Sequence, residues 1–255
     1  MQIIEQFVNA RNLIVGNEIN RLGIGSLGEK TLHAVLKHTF EPDASKHEIK
    51  IGGFFADIVN LNGITEVQTR SFNALRKRLA FFLENYIVTI VYPIAQRKWL
   101  VWIDPETGEC TKRRKSPKTG KACEILDELY RIKPFLTHSN LRLRLVMLDI
   151  IEYRNLNGWN KDRKKGSSRF DRIPEDIHDE VEINDLEDYV KLIPDGLPKV
   201  FAVKDFFEKS GLSLKKAGTA LNVLKYVSAV VQVGKNGRAL LYEATNSESS
   251  HHKED

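Results

Sequence analysis

The dipeptide Asn62-Gly63, set between the runs Phe54–Leu61 and Ile64–Thr69, constrains the folding of this chain more than any other feature. Both runs are short and rich in β-branched and aromatic residues, and Asn-Gly supplies the positive φ that a two-residue hairpin turn requires. A β-hairpin is therefore expected, with His47–Ile51 as a further strand before it. If Leu61 stands opposite Ile64, then Val59 faces Glu66 and Asp57 faces Gln68, and Asp57, Glu66 and Gln68 share one face. Directly opposed side chains lie roughly 5 Å apart and diagonal ones roughly 7–8 Å. That is within reach of one cation held by both carboxylates. Two carboxylates brought together repel one another unless a cation neutralises them, and hard oxygen ligands predict Mg2+ or Mn2+. Such an ion polarises a phosphoryl oxygen and lowers the pKa of a bound water.

The flanking segments switch to helical spacing. Ile4, Phe7, Val8, Ile14 and Val15 predict one helix, and Leu32, Val35, Leu36 and Phe40 a second after Gly23-Ile24-Gly25, with Ser26 as its N-cap. Ser71 is expected to cap a helix with Phe72, Leu75, Leu79 and Phe82 on one face, followed by a buried strand over Tyr86–Tyr92. Lys98–Asp104 reads as another strand, turning back after Ala95-Gln96, and Cys123–Ile132 as a helix. Leu141, Leu143 and Leu145 alternate with Arg142 and Arg144 as in a strand, while the continuation through Ile151 fits strand or helix.

The order helix, three strands, helix, strand, with Asp57, then Glu66-Val67-Gln68 on the next strand and Glu29 on the preceding helix, resembles the PD-(D/E)XK nuclease superfamily over about residues 26–95. The resemblance implies an α/β fold with a restriction-endonuclease-like core, an α-βββ-α-β mixed sheet, and metal-dependent hydrolysis of phosphodiesters. Asp57 matches the first acidic position, Glu66 the second, and Glu29 the helical acid of many members. Gln68 occupies the position usually held by lysine, and Ala56 replaces the usual proline before the aspartate. A lysine would bring a positive charge to the transition state, whereas an amide only hydrogen-bonds. Some restriction enzymes of the superfamily carry glutamine there. The implied catalytic set is Glu29, Asp57, Glu66 and Gln68, with Asp57 and Glu66 as ligands of Mg2+ or Mn2+. Arg70 on the same strand face, and Arg76 and Lys77 on the following helix, are placed to contact phosphate. His33 and His38 lack the spacing of a zinc motif and receive no role.

From about Ile183 the chain changes character. Helices are expected over Asp185–Ile193, Val203–Lys209 and Ser213–Val227, then a hairpin over Ala229–Tyr242 around Gly234-Lys-Asn-Gly237. This is the order of a winged helix-turn-helix domain. Leu214, Ala217, Leu221 and Leu224 would face its core, leaving Lys215, Lys216, Thr219, Asn222 and Lys225 outward on a helix able to enter a major groove. Lys235, Asn236 and Arg238 of the wing would reach backbone phosphate. The domain's first helix is acidic, and winged helices also bind proteins, so a protein-binding role stays open.

The expected division is a nuclease-like domain over 1–160 with basic loops, a charged linker over 161–182, the winged helix over 183–244 and a disordered tail over 245–255. The formal net charge of +5 permits a polyanionic partner, and the basic runs Lys112–Lys121 and Lys161–Arg172 concentrate it. The acidic stretch from Glu175 to Asp188 would repel nucleic acid. Cys110 and Cys123 have neither the number nor the spacing of a disulfide framework or a four-ligand zinc site, and read as free thiols. The amino-terminal segment is broken by Glu5, Arg11, Glu18 and Arg21, unlike a signal peptide or membrane span, so a cytoplasmic location without membrane contact is expected. The resemblance and the winged-helix order together imply a metal-dependent nuclease acting on nucleic acid, with double-stranded DNA favoured and a homodimer permitted. The alternatives are a non-catalytic nucleic-acid-binding or regulatory protein on the same fold, and an assembly component whose winged helix binds protein.

Overall fold

A computed structural model describes residues 2–19, 31–156 and 168–245. Its centre is a seven-stranded mixed sheet carrying helices on both faces. Helices α1 (Gln2–Ile19) and α2 (Thr31–Phe40) precede strands β1 (His47–Ile51), β2 (Phe54–Asn60) and β3 (Gly63–Val67). Helix α3 (Arg76–Phe82) then leads into β4 (Val88–Ile103) and the short β5 (Arg114–Lys115). Helix α4 (Leu126–Leu129) follows, and β6 (Leu141–Asn155) and β7 (Ser168–Ile183) complete the sheet. The strand order is β1-β2-β3-β4-β6-β7, with β5 on the free end of β4. Pairing is antiparallel from β1 to β3, parallel across β3, β4 and β6, and antiparallel again at β7.

Both sheet faces are buried, which accounts for continuous apolar runs where an exposed sheet would alternate. One face sets Ile64, Val88, Ile90, Leu143 and Leu145 against Leu75, Leu79 and Phe82 of the α3 segment. The other sets Val67, Val91, Val146, Leu148 and Ile150 against Leu32, Val35 and Leu36 of α2 and Phe7 of α1. Ser71 accepts a hydrogen bond from the Asn73 amide at the start of the α3 segment, so the expected cap is present. Ser26 lies outside the described residues.

Four expectations for residues 1–182 are corrected. The hairpin turn is Leu61-Asn62, because Asn60 pairs with Gly63, Val59 with Ile64 and Ile58 with Thr65. The Asn60 side chain accepts from the Asn62 amide at 2.9 Å and closes the turn itself. Gly63 serves another need: at φ 108° a Cβ there would lie 2.3 Å from the Ile87 carbonyl oxygen. Next, the chain does not turn back at Ala95-Gln96. A register shift between Ala95 and Arg97 lets β4 continue along β6 to Ile103, as a bulge absorbs one residue without ending a strand.

The third correction concerns the helix expected over Cys123–Ile132, which is divided among α4 and 3-10 turns at Ala122–Ile125 and Tyr130–Phe135. Ile132 leaves helical geometry and Pro134 has no amide hydrogen for a helical bond. Finally, the described part of the expected linker is β7, an edge strand paired with β6 along its length. Its charges are matched across the strands: Glu180 lies 2.8 Å from Arg144, and His178 lies 2.8 Å from Asp149. Charge-rich composition reads as solvated chain only when partners are not in view.

The last segment comprises β8 (Val200–Ala202), α5 (Val203–Ser210), α6 (Leu214–Tyr226), β9 (Val230–Asn236) and β10 (Ala239–Ala244). The segment expected as its first helix, Asp185–Ile193, contains a 3-10 turn over Glu187–Leu192. β8, β10 and β9 form a separate three-stranded sheet. Its core is continuous with the α3 side of the large sheet: Leu126, Leu129 and Ile132 belong to one buried cluster with Ala217, Leu221 and Leu224. Most of the tail expected to be disordered, 246–255, lies outside the described residues. No described helix is long and apolar enough to cross a membrane.

Candidate active site

The corrected register improves the juxtaposition of the two carboxylates. Extending the pairs Val59–Ile64 and Ile58–Thr65 by one step sets Asp57 opposite Glu66 instead of Gln68. A shift of two residues leaves every side chain on its expected face, because the strand period is two. The backbone ladder itself ends at Ile58–Thr65. Beyond it the Val67 amide donates to Asp57 Oδ2 at 2.8 Å, so the Asp57 carboxylate takes a donor that a backbone carbonyl would otherwise use. His33 Nε2, from α2, stands 3.2 Å from the same Asp57 oxygen. Asp57 is thereby fixed by a strand amide on one side and an imidazole on the other.

Glu66 is 1% exposed. Arg78 Nη1, from α3, forms an ion pair 2.8 Å from its Oε2, while neither Glu66 oxygen accepts a well-formed hydrogen bond among the described residues. Arg78 instead donates to the Phe55 carbonyl at 3.2 Å. A buried carboxylate with orphaned oxygens is costly unless it takes up a proton or a cation. Burial, and then the neighbouring Asp57 charge, push the Glu66 carboxyl up to about 8, against the opposing charges of Arg78 and His33.

This shift fixes the sign of a pH effect. Between the ordinary carboxyl value of 4.5 and about 8, the folded chain retains a proton that the unfolded chain has released. The corresponding stability is fully present below the unfolded value and is lost as pH rises through the folded one. Without divalent ions, the thermal midpoint should fall from about pH 5 to about pH 8, by the equivalent of a few kcal/mol at most. Glu66→Gln should flatten that fall. Equal slopes in wild type and variant would show that Glu66 does not carry the effect.

The remaining expected residues fall into four groups. Gln68 lies just past the end of β3; its backbone amide donates to the Val91 carbonyl at 2.8 Å, and its side-chain amide donates to the Ser71 carbonyl over a long 3.4 Å. Arg70, Arg76 and Lys77 are exposed at the same end of the sheet. Glu29 lies outside the described residues. In the last segment Lys215 and Arg238 are exposed, but the face of α6 expected to be free is engaged within the chain. Lys216 Nζ lies 3.0 Å from Asp127, Lys133 donates to Asn222 Oδ1 at 2.9 Å, and Lys133 also sits 4.7 Å from the Tyr226 ring centre. A helix packed this way does not offer that whole face to a groove.

His33 and Arg78 are the two site residues not assigned from sequence. His33 carries one legible signal, a four-residue spacing from Lys37, one helical turn on. Lys37, on the same stripe, pairs with Glu48 of β1 at 2.6 Å, so this side of α2 faces the first strands. Arg78 reads as a solvated charge beside Arg76 and Lys77. Only the packing of α3 over β2 and β3 turns it inward.

Among the described residues, no three His, Cys, Asp or Glu side chains gather closely enough to hold a metal ion alone. Asp57 and Glu66 supply two hard oxygen donors, and Mg2+ commonly takes one or two carboxylates and completes its shell with water and substrate oxygens. The buried Glu66 carboxylate, ion-paired with Arg78 but without a hydrogen-bond donor among the described residues, therefore fits a divalent ion.

No solved structure matches this chain. An uncharacterized protein of Treponema pallidum (strain Nichols) is 29% identical over 227 residues, which cover 86% of each chain. A family model described as a domain of unknown function (DUF8091) matches residues 30–184. That span takes in His33, Asp57, Glu66, Gln68 and Arg78, together with the whole sheet that positions them, and stops short of α5, α6 and their small sheet. The chain thus belongs to the DUF8091 family, with its candidate site inside the family's shared region.

Proposed function

We propose that this protein is a metal-dependent nuclease that hydrolyses phosphodiester bonds in nucleic acid, with double-stranded DNA the favoured substrate. The reading takes β1–β4 with α2 and α3 as a restriction-endonuclease-like core and the last segment as a winged helix. One observation carries it: Asp57 and Glu66 stand side by side at the point where β2 and β3 part, with the Glu66 oxygens buried and, among the described residues, without a hydrogen-bond donor.

Asp57 and Glu66 would hold Mg2+ or Mn2+, and such an ion supplies a polarised phosphoryl oxygen and a water of lowered pKa. The chain's own residues do the rest. The Val67 amide and His33 hold the Asp57 carboxylate in one orientation. His33 is also close enough to exchange a proton with a group bound at Asp57. Gln68 offers a neutral amide just past the end of β3, two residues after Glu66, suited to orienting a water by hydrogen bonding. Arg70, Arg76 and Lys77 present exposed cations to the phosphates on either side.

A second reading has its own support. Arg78 already brings a positive charge to Glu66 at 2.8 Å, and Gln68 stands where the resembled superfamily usually has lysine. Both favour a protein that binds nucleic acid without cutting it. Incubation of the full chain with supercoiled plasmid, linear duplex and single-stranded DNA separates the two. Strand breakage that requires Mg2+ or Mn2+ and stops with chelator is the expected result. Binding of the same DNAs with no breakage would replace the nuclease by the non-catalytic reading.

A further inference from the structure

We infer that the pocket walled by Lys98, Lys118, Arg169 and Arg172, beyond the end of β3, is a binding site for a phosphate group. These four cations share the lining with two carboxylates, Glu124 and Glu152, leaving a surplus of two positive charges. The carboxylates are already engaged. Glu124 lies 3.0 Å from Lys118; Glu152, 2% exposed, pairs with Arg154 and lies 3.5 Å from Lys98 and 3.6 Å from Arg169.

Arg172 is what remains. It stands opposite Glu152 in the strand register, yet makes no ion pair among the described residues; its Nη2 donates to the Thr69 carbonyl at 3.0 Å. A half-buried guanidinium without a carboxylate favours an incoming anion, since charge-assisted hydrogen bonds from such a fork are stronger than neutral ones. Its burial already draws the guanidinium down to about 10, the mark of a charge short of compensation.

Size and position narrow the ligand. The pocket holds about 160 Å³, well below the roughly 300–1,000 Å³ of sites that engulf whole small molecules. One tetrahedral anion fits, with its carrier outside. Gly120 in the wall cannot be enlarged, since a Cβ would lie 2.3 Å from the Ala95 carbonyl oxygen. Thr69, which anchors Arg172, is three residues from Glu66, at most about 11 Å of extended chain. Assigning the phosphate to a nucleic-acid strand rests on the nuclease reading, whereas the pocket itself does not.

The test uses the full chain in chelator, so that the carboxylate site contributes no metal. Inorganic phosphate, against chloride at equal ionic strength, should raise the thermal midpoint of wild type and of Asp57→Ala alike. Arg172→Gln, and separately the exposed pair Lys118→Ala with Arg169→Ala, should weaken phosphate binding about tenfold or more, the loss of a hydrogen bond to a charged group. The exposed pair keeps the test decisive if Arg172→Gln does not fold. Oligonucleotides with and without a 5′-phosphate then identify the source. A preference for the phosphorylated end, lost in the variants, marks a terminal phosphate, and equal binding of both that the variants weaken marks an internal one. No phosphate-specific stabilisation, or variants that bind as wild type does, would overturn the pocket and leave the nuclease reading standing.

Discussion

Replacing Asp57 or Glu66 by alanine should lower metal-dependent strand cleavage by at least about a hundredfold while leaving the fold intact, a loss of the size seen when a transition-state charge stabiliser is removed. The two variants should nevertheless differ in stability. Asp57→Ala frees the Val67 amide and His33, so the ladder end between β2 and β3 loosens and stability drops. Glu66→Ala removes a buried carboxylate that has no hydrogen-bond donor among the described residues, only the Arg78 ion pair, which relieves a desolvation cost although it opens space. At pH 8 without metal it should therefore cost less than a buried truncation of that size normally does. Cleavage rates with Mn2+, beside chemical denaturation of the same preparations, check both parts. Retained cleavage in either variant would remove that carboxylate from the site.

Leu129→Ala should destabilise the whole molecule by about 2–5 kcal/mol, the range for a large aliphatic residue lost from a close-packed interior. Leu129 is fully buried in α4 and belongs to the cluster that joins the α3 side of the large sheet to α6. The junction also carries the Lys216–Asp127 ion pair and the buried Cys123 Sγ facing the Ser210 carbonyl at 3.7 Å. Truncation there should thus loosen both sides together. Hydrogen exchange is the measurement: amides of β6 and of α6 should lose protection by the same free energy. If only α5 to β10 became exchangeable, the last segment would be a separately folding unit.

Much of the fold was legible in the sequence because its signals are local. The hairpin, the α3 segment with its Ser71 cap, and the elements from α5 to β10 follow from turn residues and apolar period. The alternation of Leu141, Leu143 and Leu145 likewise marked β6 as a strand. What was missed depends on contacts distant in the chain. The bulge at Gln96 exists because β6 offers β4 a partner beyond it. β7 passes for a linker until Arg144 and Asp149 are placed beside its charges.

The site divides the same way. Asp57 and Glu66 were legible because a period of two keeps their common face even when the turn moves. The register itself was not, since whether Leu61 or Gly63 joins Asn62 in the turn depends on Asn60 and on the approach of Ile87. Arg78 carries no sequence mark of its own, and His33 only its four-residue spacing from Lys37. The engagement of Lys216 and Asn222 requires Asp127 and Lys133, which are remote in sequence.

Titration of Mn2+ into the full chain, followed by calorimetry near pH 8 where Glu66 gives up its proton most readily, tests the shared-ion site most directly. Saturable binding that disappears in both Asp57→Ala and Glu66→Ala is the expected result. Binding that persists unchanged in the two variants, or no binding in wild type, would contradict a divalent ion held between these carboxylates.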